Sequence, residues 1–334
     1  MPETMSALVF EGPGQMAIKT RPRPRPAPGE VVVAISAAGV CGSELTSFTG
    51  HSLRRPPGRV FGHELSGTVA ALGTDTPSRL LGERVAINPL RPCGRCATCA
   101  SGHTNVCPNR TLLGLHIDGG FAEEVAVPAS ALRELGQLND AGGALVEPLA
   151  NAVHVVRLLP PVIGRDVLVL GAGAIGLCVL SVLRHAGAAE ITMIDPVEAR
   201  RDLAVVSGAG RALSPDESVE PELGEFDLVI DAAGVTDSRR DAITRCAAGG
   251  CIVLLGMHEA ESVLPVNAAV SKEVRLQCSY AYTDADFDVA FGLLRDGLIP
   301  YEPWITDLPL AEGQAAFEAL VQRPGEVTKI ILHP

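Results

Sequence analysis

The second half of the chain, from about residue 148, alternates short apolar runs with longer segments of helical periodicity. DVLVLG, EITMID, FDLVIDAAG and CIVLLG have the length and β-branched content of buried strands. Between them lie AGAIGLCVLSVLRHAG, PVEARRDLAVVSGA and SRRDAITRCAAGG, whose apolar residues recur at helical spacing. Strands that alternate with helices in this way predict a parallel, doubly wound sheet.

The first third has a different pattern, in which the short strand-like runs LVF, EVVVAIS and ERVAINP are separated by glycine and proline. After about residue 281 come two helical segments, DADFDVAFGLLRDG and LAEGQAAFEALVQR, and a final strand VTKIILHP. This tail is too short to fold alone. We therefore expect residues 1–147 and 282–334 to form a β-rich domain, and residues 148–281 to form the parallel-sheet domain.

Composition narrows the classes of function. The 334 residues suit about two domains, and the net charge of −12 offers no electrostatic footprint for nucleic acid or an anionic membrane. No apolar run reaches the roughly 18 residues of a transmembrane helix, and MPETMSALVF lacks the basic region of a signal peptide. We expect a cytoplasmic protein that binds small molecules rather than nucleic acid or membrane.

The segment GAGAIG matches the dinucleotide-binding pattern G-x-G-x-x-G between a predicted strand and a predicted helix. Gly171 permits the tight turn, Gly173 lets a pyrophosphate approach the backbone, and Gly176 lets the helix pack on the strand. Ala174 and Ile175 complete the loop at the helix N-terminus, where free N–H groups favour phosphate. The segment predicts a nicotinamide dinucleotide site.

An acidic residue at the end of the next strand predicts which dinucleotide binds. Asp195 follows Gly176 by nineteen residues, and a carboxylate there accepts hydrogen bonds from ribose hydroxyls and repels a 2′-phosphate. NAD is therefore favoured over NADP. Arg200, with Arg201 beside it, lies close enough in sequence to leave a mixed preference open.

Four cysteines crowd into RPCGRCATCASGHTNVCPNR, residues 91–110, which we call the four-cysteine lobe. Cys93, Cys96, Cys99 and Cys107 have the spacing C-x2-C-x2-C-x7-C, and four thiolates in a compact loop suit a closed tetrahedral zinc site. An iron–sulfur cluster uses four cysteines as well. The remaining cysteines of the second half lie in helix or strand patterns and are expected in the core: Cys178, Cys246, Cys251 and Cys278.

A second candidate set is dispersed along the first half of the chain. Cys41 lies in GVCGSE, His63 and Glu64 in FGHE, and Glu147 in VEPLAN, each beside a glycine or proline. Singly, a core thiol or a hydrogen-bonded loop histidine explains each as well. Together they supply one thiolate, one imidazole and carboxylates, and three protein ligands with an open position form a catalytic zinc site.

The motifs GVCGSE, GHE, GERV, the four-cysteine lobe, DGGFAEE, EPLANAVH and GAGAIG follow one another along the chain. In content and order they resemble the zinc-dependent medium-chain alcohol dehydrogenase family, and within it the sorbitol and threonine dehydrogenase-like branch. The resemblance implies an α/β protein with a β-rich GroES-like catalytic domain and a doubly wound Rossmann domain. It also implies two zinc ions per subunit, of which the four-cysteine lobe holds the structural one.

The resemblance further implies that the catalytic zinc is held by Cys41, His63 and a carboxylate. In relatives the glutamate equivalent to Glu64 or the one equivalent to Glu147 approaches the metal, and exchange between the two during turnover is a hypothesis. Both stay as candidate ligands and catalytic residues.

Ser43 matches the hydroxyl residue that contacts the reacting oxygen in the family and is the expected first proton relay. Beyond it this chain departs from the family's CGSDxH pattern. Glu44 replaces the aspartate and Thr46 replaces the histidine. His51 lies nearby in sequence, either as a substitute or as a surface histidine.

The expected function is hydride transfer between NAD and a secondary alcohol, polyol or sugar-type hydroxyl, including cyclitols and amino sugars, to give the ketone. Two alternatives remain: a biosynthetic ketone reductase of the same fold, and a catalytically inactive zinc-stabilised binding protein. The segment from CIVLLGMHEA to QCSYAYT resembles the region through which relatives pair, so a homodimer or homotetramer is expected.

Overall fold

The computed structural model describes residues 3–219, 223–323, 325 and 327–334. The chain divides into two compact units. Unit 1 comprises Met1–Glu147, Thr283–Gly297 and Ile305–Pro334, and unit 2 comprises Pro148–Tyr282 and Leu298–Trp304.

Unit 1 is rich in strands, with short helices between them. From the N-terminus its elements are β1 (Thr4–Gly12), β2 (Gln15–Pro22), β3 (Glu30–Gly39), α1 (Gly42–Phe48), β4 (Glu64–Leu72), β5 (Arg84–Ile87), β6 (Leu90–Arg91), α2 (Ala97–Ala100), β7 (Thr111–Leu112), β8 (Glu124–Pro128), β9 (Leu132–Glu134) and α3 (Asp140–Ala144). Helix α4 (Val146–Leu158) begins at the end of this part and continues into unit 2.

The strands of unit 1 form a seven-stranded sheet that includes the C-terminal tail. The tail contributes α9 (Asp284–Arg295), β16 (Ile305–Pro309), α10 (Gly313–Gln322) and β17 (Lys329–His333). The strand order is β16-β17-β3-β4-β5-β9, with β8 also paired to β3, and β1 and β2 form a separate hairpin. Strand β17 pairs antiparallel with β3, so the last strand of the chain lies against one of the first.

An aromatic cluster fills the core of unit 1. The rings of Phe10 and Phe61 are 4.9 Å apart, and Phe317 of α10 lies 5.2 Å from Phe48. Phe121 meets the Phe317 ring edge-on at 6.2 Å. The single helix α10 therefore packs over the site-bearing segments of the sheet.

Unit 2 alternates strands and helices. Its elements are β10 (Val167–Leu170), α5 (Ala174–His185), β11 (Ile191–Ile194), α6 (Glu198–Val206), β12 (Arg211–Leu213), β13 (Phe226–Asp231), α7 (Thr236–Arg245), β14 (Cys246–Leu254), α8 (Val266–Ser271) and β15 (Arg275–Cys278).

The six strands of unit 2 are all parallel and have the order β12-β11-β10-β13-β14-β15. This order, which reverses direction at β10 and β13, is that of a dinucleotide-binding doubly wound sheet. The expected fold class is confirmed.

Three sequence expectations about unit 2 differ from the structure. Tyr282 and Leu298–Trp304, expected in the catalytic domain, belong to unit 2, because Trp304 is buried and its indole donates a hydrogen bond of 2.9 Å to Ser207. The helix expected through SRRDAITRCAAGG ends at Arg245, since a register shift lets β14 begin pairing at Cys246. Cys278, expected in the core, is exposed because it lies on the sheet's edge strand.

Among the described residues, no helix combines the length and apolar character needed to cross a bilayer.

Candidate active site and cofactor loop

Cys41, His63 and Glu64 converge in unit 1, with their ligand atoms all within 4.8 Å of one another. The pairing of β3 with β4 explains this, because Gly39 lies directly opposite Glu64. Cys41 follows the end of β3 as the N-cap of α1, and His63 immediately precedes β4. His63 and Glu64 are buried, whereas Cys41 is partly exposed.

Glu44 orients His63 from within helix α1. Its Oε1 atom lies 2.9 Å from His63 Nδ1 and accepts a hydrogen bond of 2.9 Å from Gly62 N–H. Its Oε2 atom accepts from Cys41 N–H at 3.1 Å. A carboxylate that holds one ring nitrogen of a histidine leaves the other nitrogen directed at a metal. The sequence showed that Glu44 replaces an aspartate but not that it has this role.

The site surrounds its ionisable groups with opposite charges. Burial favours neutral Glu44, but His63 and then Arg55 outweigh it and hold the pKa of Glu44 below its ordinary value. Burial alone lowers the pKa of His63, yet the charges of Cys41 and Glu44 raise it well above the usual range. The donors therefore lie in a strongly coupled, charged cluster rather than in an apolar core.

Lys329 is a buried cation that the sequence analysis missed. It is 3% exposed, forms an ion pair with Glu64 and donates a hydrogen bond of 2.9 Å to the carbonyl of Val40. Burial lowers its pKa, but the charges of Glu64, Cys41 and Glu147 outweigh burial and raise that pKa. A lysine within the otherwise apolar strand segment KIILH was the available signal.

Of the two candidate carboxylate ligands, the structure groups Glu64 with Cys41 and His63. Glu147 is also buried, in the first turn of α4, and its charge acts on Lys329. Among the described residues, Glu147 is not a member of the cluster whose ligand atoms lie within 4.8 Å of one another.

The relay candidates do not form one chain of hydrogen bonds. The Ser43 hydroxyl donates to Cys41 Sγ at 3.4 Å. Thr46 donates to the Ser43 carbonyl at 2.9 Å, and the exposed His51 ring lies 2.8 Å from the hydroxyl of Thr49. The structure thus places Ser43 at the cluster and keeps His51 with Thr49.

The four-cysteine lobe brings Cys93, Cys96, Cys99 and Cys107 together, with all four sulfur atoms within 4.8 Å. Cys96 Sγ lies 3.6 Å from Cys99 Sγ and 3.7 Å from Cys107 Sγ. Zn–S bonds of about 2.3 Å in a tetrahedron give sulfur separations of roughly 3.8 Å. The donor set therefore fits a four-thiolate zinc site.

The thiols of the lobe differ in acidity. A backbone N–H from Arg95 and the neighbouring Cys107 lower the pKa of Cys93 to about 6. Burial and the adjacent thiols raise the pKa of Cys99 to about 12. A metal ion that binds thiolates would release the proton of the second group.

The glycine loop of unit 2 has the geometry expected of a dinucleotide site. Gly171 has φ of +101°, and a Cβ on Gly176 would lie 2.0 Å from the Gly171 carbonyl oxygen. A Cβ on Gly173 would meet nothing within 4 Å. Gly173 caps α5, whose first two residues are Ala174 and Ile175. The space beside Gly173 is therefore open to a ligand.

Asp195 holds the loop as well as marking the end of β11. It is 3% exposed, and its two oxygens accept hydrogen bonds from Ala172 N–H at 2.8 Å and Val197 N–H at 2.9 Å. Arg200 lies 3.9 Å from the same carboxylate. Arg201 donates to the Asp195 carbonyl at 2.9 Å.

Two family models match the chain. Residues 27–137 match "Alcohol dehydrogenase GroES-like domain", and residues 174–296 match "Zinc-binding dehydrogenase".

Similar curated proteins extend over nearly the whole chain. The starvation-sensing protein RspB of Escherichia coli is 33% identical over 90% of this chain and 91% of its own. L-threonine 3-dehydrogenase of Caldanaerobacter subterraneus is 32% identical over 91% of both chains. L-galactonate-5-dehydrogenase of Escherichia coli is 29% identical over 98% of this chain and 99% of its own.

A solved structure, an alcohol dehydrogenase (rspB) from Escherichia coli CFT073 complexed with NADH, superposes with a TM-score of 0.93 at 31% identity. The superposition covers 100% of both chains.

We predict that Gly176→Ala destabilises the protein by about 1–3 kcal/mol, because its methyl group would overlap the Gly171 carbonyl. Thermal unfolding of the purified variant measures the effect. Gly173→Ala is the matched control, since its methyl group has open space and its φ of −73° suits alanine. Equal melting temperatures for wild type and Gly176→Ala would contradict the packing argument.

Proposed function

This chain belongs to the zinc-dependent medium-chain alcohol dehydrogenase family, and from that membership we propose that it oxidises a secondary hydroxyl of a polyol, sugar or sugar acid with NAD. The family and the oxidoreductase class expected from the sequence are confirmed by the comparisons. The observation that carries the proposal is the convergence of Cys41, His63 and Glu64.

The donor set fits a catalytic zinc ion. One thiolate, one imidazole nitrogen and one carboxylate oxygen are borderline-soft ligands of the kind zinc prefers. We propose that Cys41, His63 and Glu64 hold the ion. Glu147 is the alternative carboxylate, and Lys329 stabilises whichever of the two glutamates is not bound to the metal.

Oxidation of a secondary alcohol removes a hydride from carbon and a proton from oxygen. Bound zinc supplies Lewis acidity toward that oxygen, and the nicotinamide carries the hydride. Ser43 is the residue placed to accept the proton, since its hydroxyl lies 3.4 Å from Cys41 Sγ. Glu44 holds His63 in one orientation throughout.

The four-cysteine lobe is proposed to hold a second, structural zinc. Its four sulfur atoms occupy every position of a tetrahedral shell, so no position remains for a substrate. The lobe contains only the short elements β6, α2 and β7, and a metal would link them where a hydrophobic core is absent.

NAD is proposed as the cofactor of unit 2. The NADH-bound relative supports this, as does Asp195 at the end of β11. Its carboxylate disfavours a 2′-phosphate, although Arg200 lies beside it.

We also propose that the protein is a homodimer paired through β15, with a tetramer as its extension. Strand β15 is the edge of its sheet, and the backbone of an edge strand is a template for pairing. Leu276 is 43% exposed, and Val263, Val266 and Val270 nearby in the chain are 73%, 58% and 68% exposed. A second copy would cover these apolar side chains by two-fold symmetric pairing.

NAD-dependent turnover tests the proposed activity. We expect NADH formation with a panel of hexitols, pentitols and aldonates, faster with NAD than with NADP, and loss of turnover after a chelator. Gly173→Ala should weaken NAD binding without lowering the melting temperature, because its methyl group fills the open space beside the loop. Bound NAD with no turnover across the panel would count against the activity.

Two cysteine substitutions separate the proposed metal roles. Cys41→Ala should lower kcat/KM by roughly a thousandfold or more, several kcal/mol of transition-state stabilisation, and leave the melting temperature nearly unchanged. Cys99→Ala should lower the melting temperature and zinc content first. Cys278→Ser, at an exposed thiol outside both clusters, is the control. The reverse pattern would exchange the two assignments.

Light-scattering mass measurement tests the dimer. Leu276→Glu places a charge on the proposed pairing edge and should shift the protein toward the monomer. Val206→Glu, at a side chain 72% exposed on α6, should leave the mass unchanged. A monomeric wild type would overturn the proposal.

A further inference from the structure

Arg55 is a buried cation outside the proposed ligand set. It is 4% exposed, and among the described residues no carboxylate lies within ion-pair distance of its guanidinium. Its charge does lower the pKa of Glu44, but the Glu44 oxygens are held by other groups. Burying a guanidinium without a paired anion is costly, so its contacts with neutral oxygens require an explanation.

Those contacts centre on one residue. Arg55 Nη1 donates to the Ser43 carbonyl at 2.7 Å, and Nη2 donates to the Ser43 hydroxyl at 3.1 Å. The guanidinium therefore holds both the main chain and the side chain of Ser43. It is itself held by the Gly114 carbonyl, 2.8 Å from Nε, and lies 5.2 Å from the ring centre of Phe61.

This double contact restricts what the Ser43 hydroxyl can do. A serine hydroxyl has one hydrogen to donate and two lone pairs to accept. Arg55 can only donate, so it takes one lone pair, and the hydrogen is directed at Cys41 Sγ, 3.4 Å away. One lone pair remains to accept a proton from a bound alcohol. Ser43 is otherwise an exposed small side chain, free to occupy several rotamers.

We propose that Arg55 is a positioning residue for the dehydrogenation, which holds the Ser43 hydroxyl in the single orientation that accepts the alcohol proton. The inference rests on the proposed function. The fixed charge of Arg55 also stabilises negative charge that develops on the hydroxyl oxygen as its own proton leaves. A guanidinium performs this role better than an ammonium, because its planar fork reaches two acceptors at once.

A purely structural role for Arg55 predicts a different result. Joining residues 43 and 114 would make Arg55 a loop clasp, and its loss would lower stability and activity whatever residue occupies position 43. A positioning role predicts that the effect of Arg55 on turnover disappears when Ser43 is absent.

A double-mutant cycle distinguishes the two roles. Arg55→Met should lower kcat by about 10–100-fold, as for removal of other orienting groups, with little change in KM. In a Ser43→Ala background the same substitution should change kcat by less than about twofold. Arg55→Lys should restore part of kcat. Arg59→Met, at a neighbouring arginine paired with Asp118, is the matched control and should leave kcat unchanged.

Each variant's melting temperature and zinc content are measured alongside. If Arg55→Met fails to fold, Arg55→Lys carries the cycle. Equal losses of kcat in the wild-type and Ser43→Ala backgrounds would overturn the positioning role. An inactive wild type would instead count against the proposed function, and crystal structures then decide: Ser43 in the same single rotamer with and without the Arg55 guanidinium would overturn the inference.

Discussion

The pairing of β3 with its two neighbouring strands is the constraint on which the candidate active site depends. Gly39, near the end of β3, lies opposite Glu64 of β4 and also pairs with β17. Antiparallel partners lie about 5 Å apart, so the segments that follow and precede these positions must converge. Cys41, His63 and Lys329 meet for that reason. A shift of one residue in either register would turn these side chains to the opposite face.

The converged site is a set of buried charges that compensate one another. Glu44 is matched to His63, and Glu64 is matched to Lys329. Arg55 has no carboxylate partner among the described residues, and its donors are used on carbonyl and hydroxyl oxygens. An apolar core in these positions would be less costly. The charges are consistent with a site built to hold a cation and to move a proton, at some expense in stability.

The two cysteine-containing sites differ in how far the sequence reveals them. The thiols of the four-cysteine lobe lie within fifteen residues, so a local turn and the short helix α2 suffice to bring them together. Cys41 and Glu64 lie farther apart, and only sheet pairing joins them. The denser group attracts attention first, yet a shell filled by four thiolates leaves no place for chemistry. The catalytic proposal therefore rests on the dispersed group.

The sequence by itself determined the fold class, the glycine loop and the four-thiolate cluster, because each is written in residues close together in the chain. Periodicity and spacing report on local backbone geometry, and local geometry survives in the folded state. Only the tertiary structure grouped Glu64 rather than Glu147 with Cys41, and only it brought Lys329 and Arg55 to the site. Those contacts join residues up to about 290 positions apart, and no local pattern records which strand ends will meet.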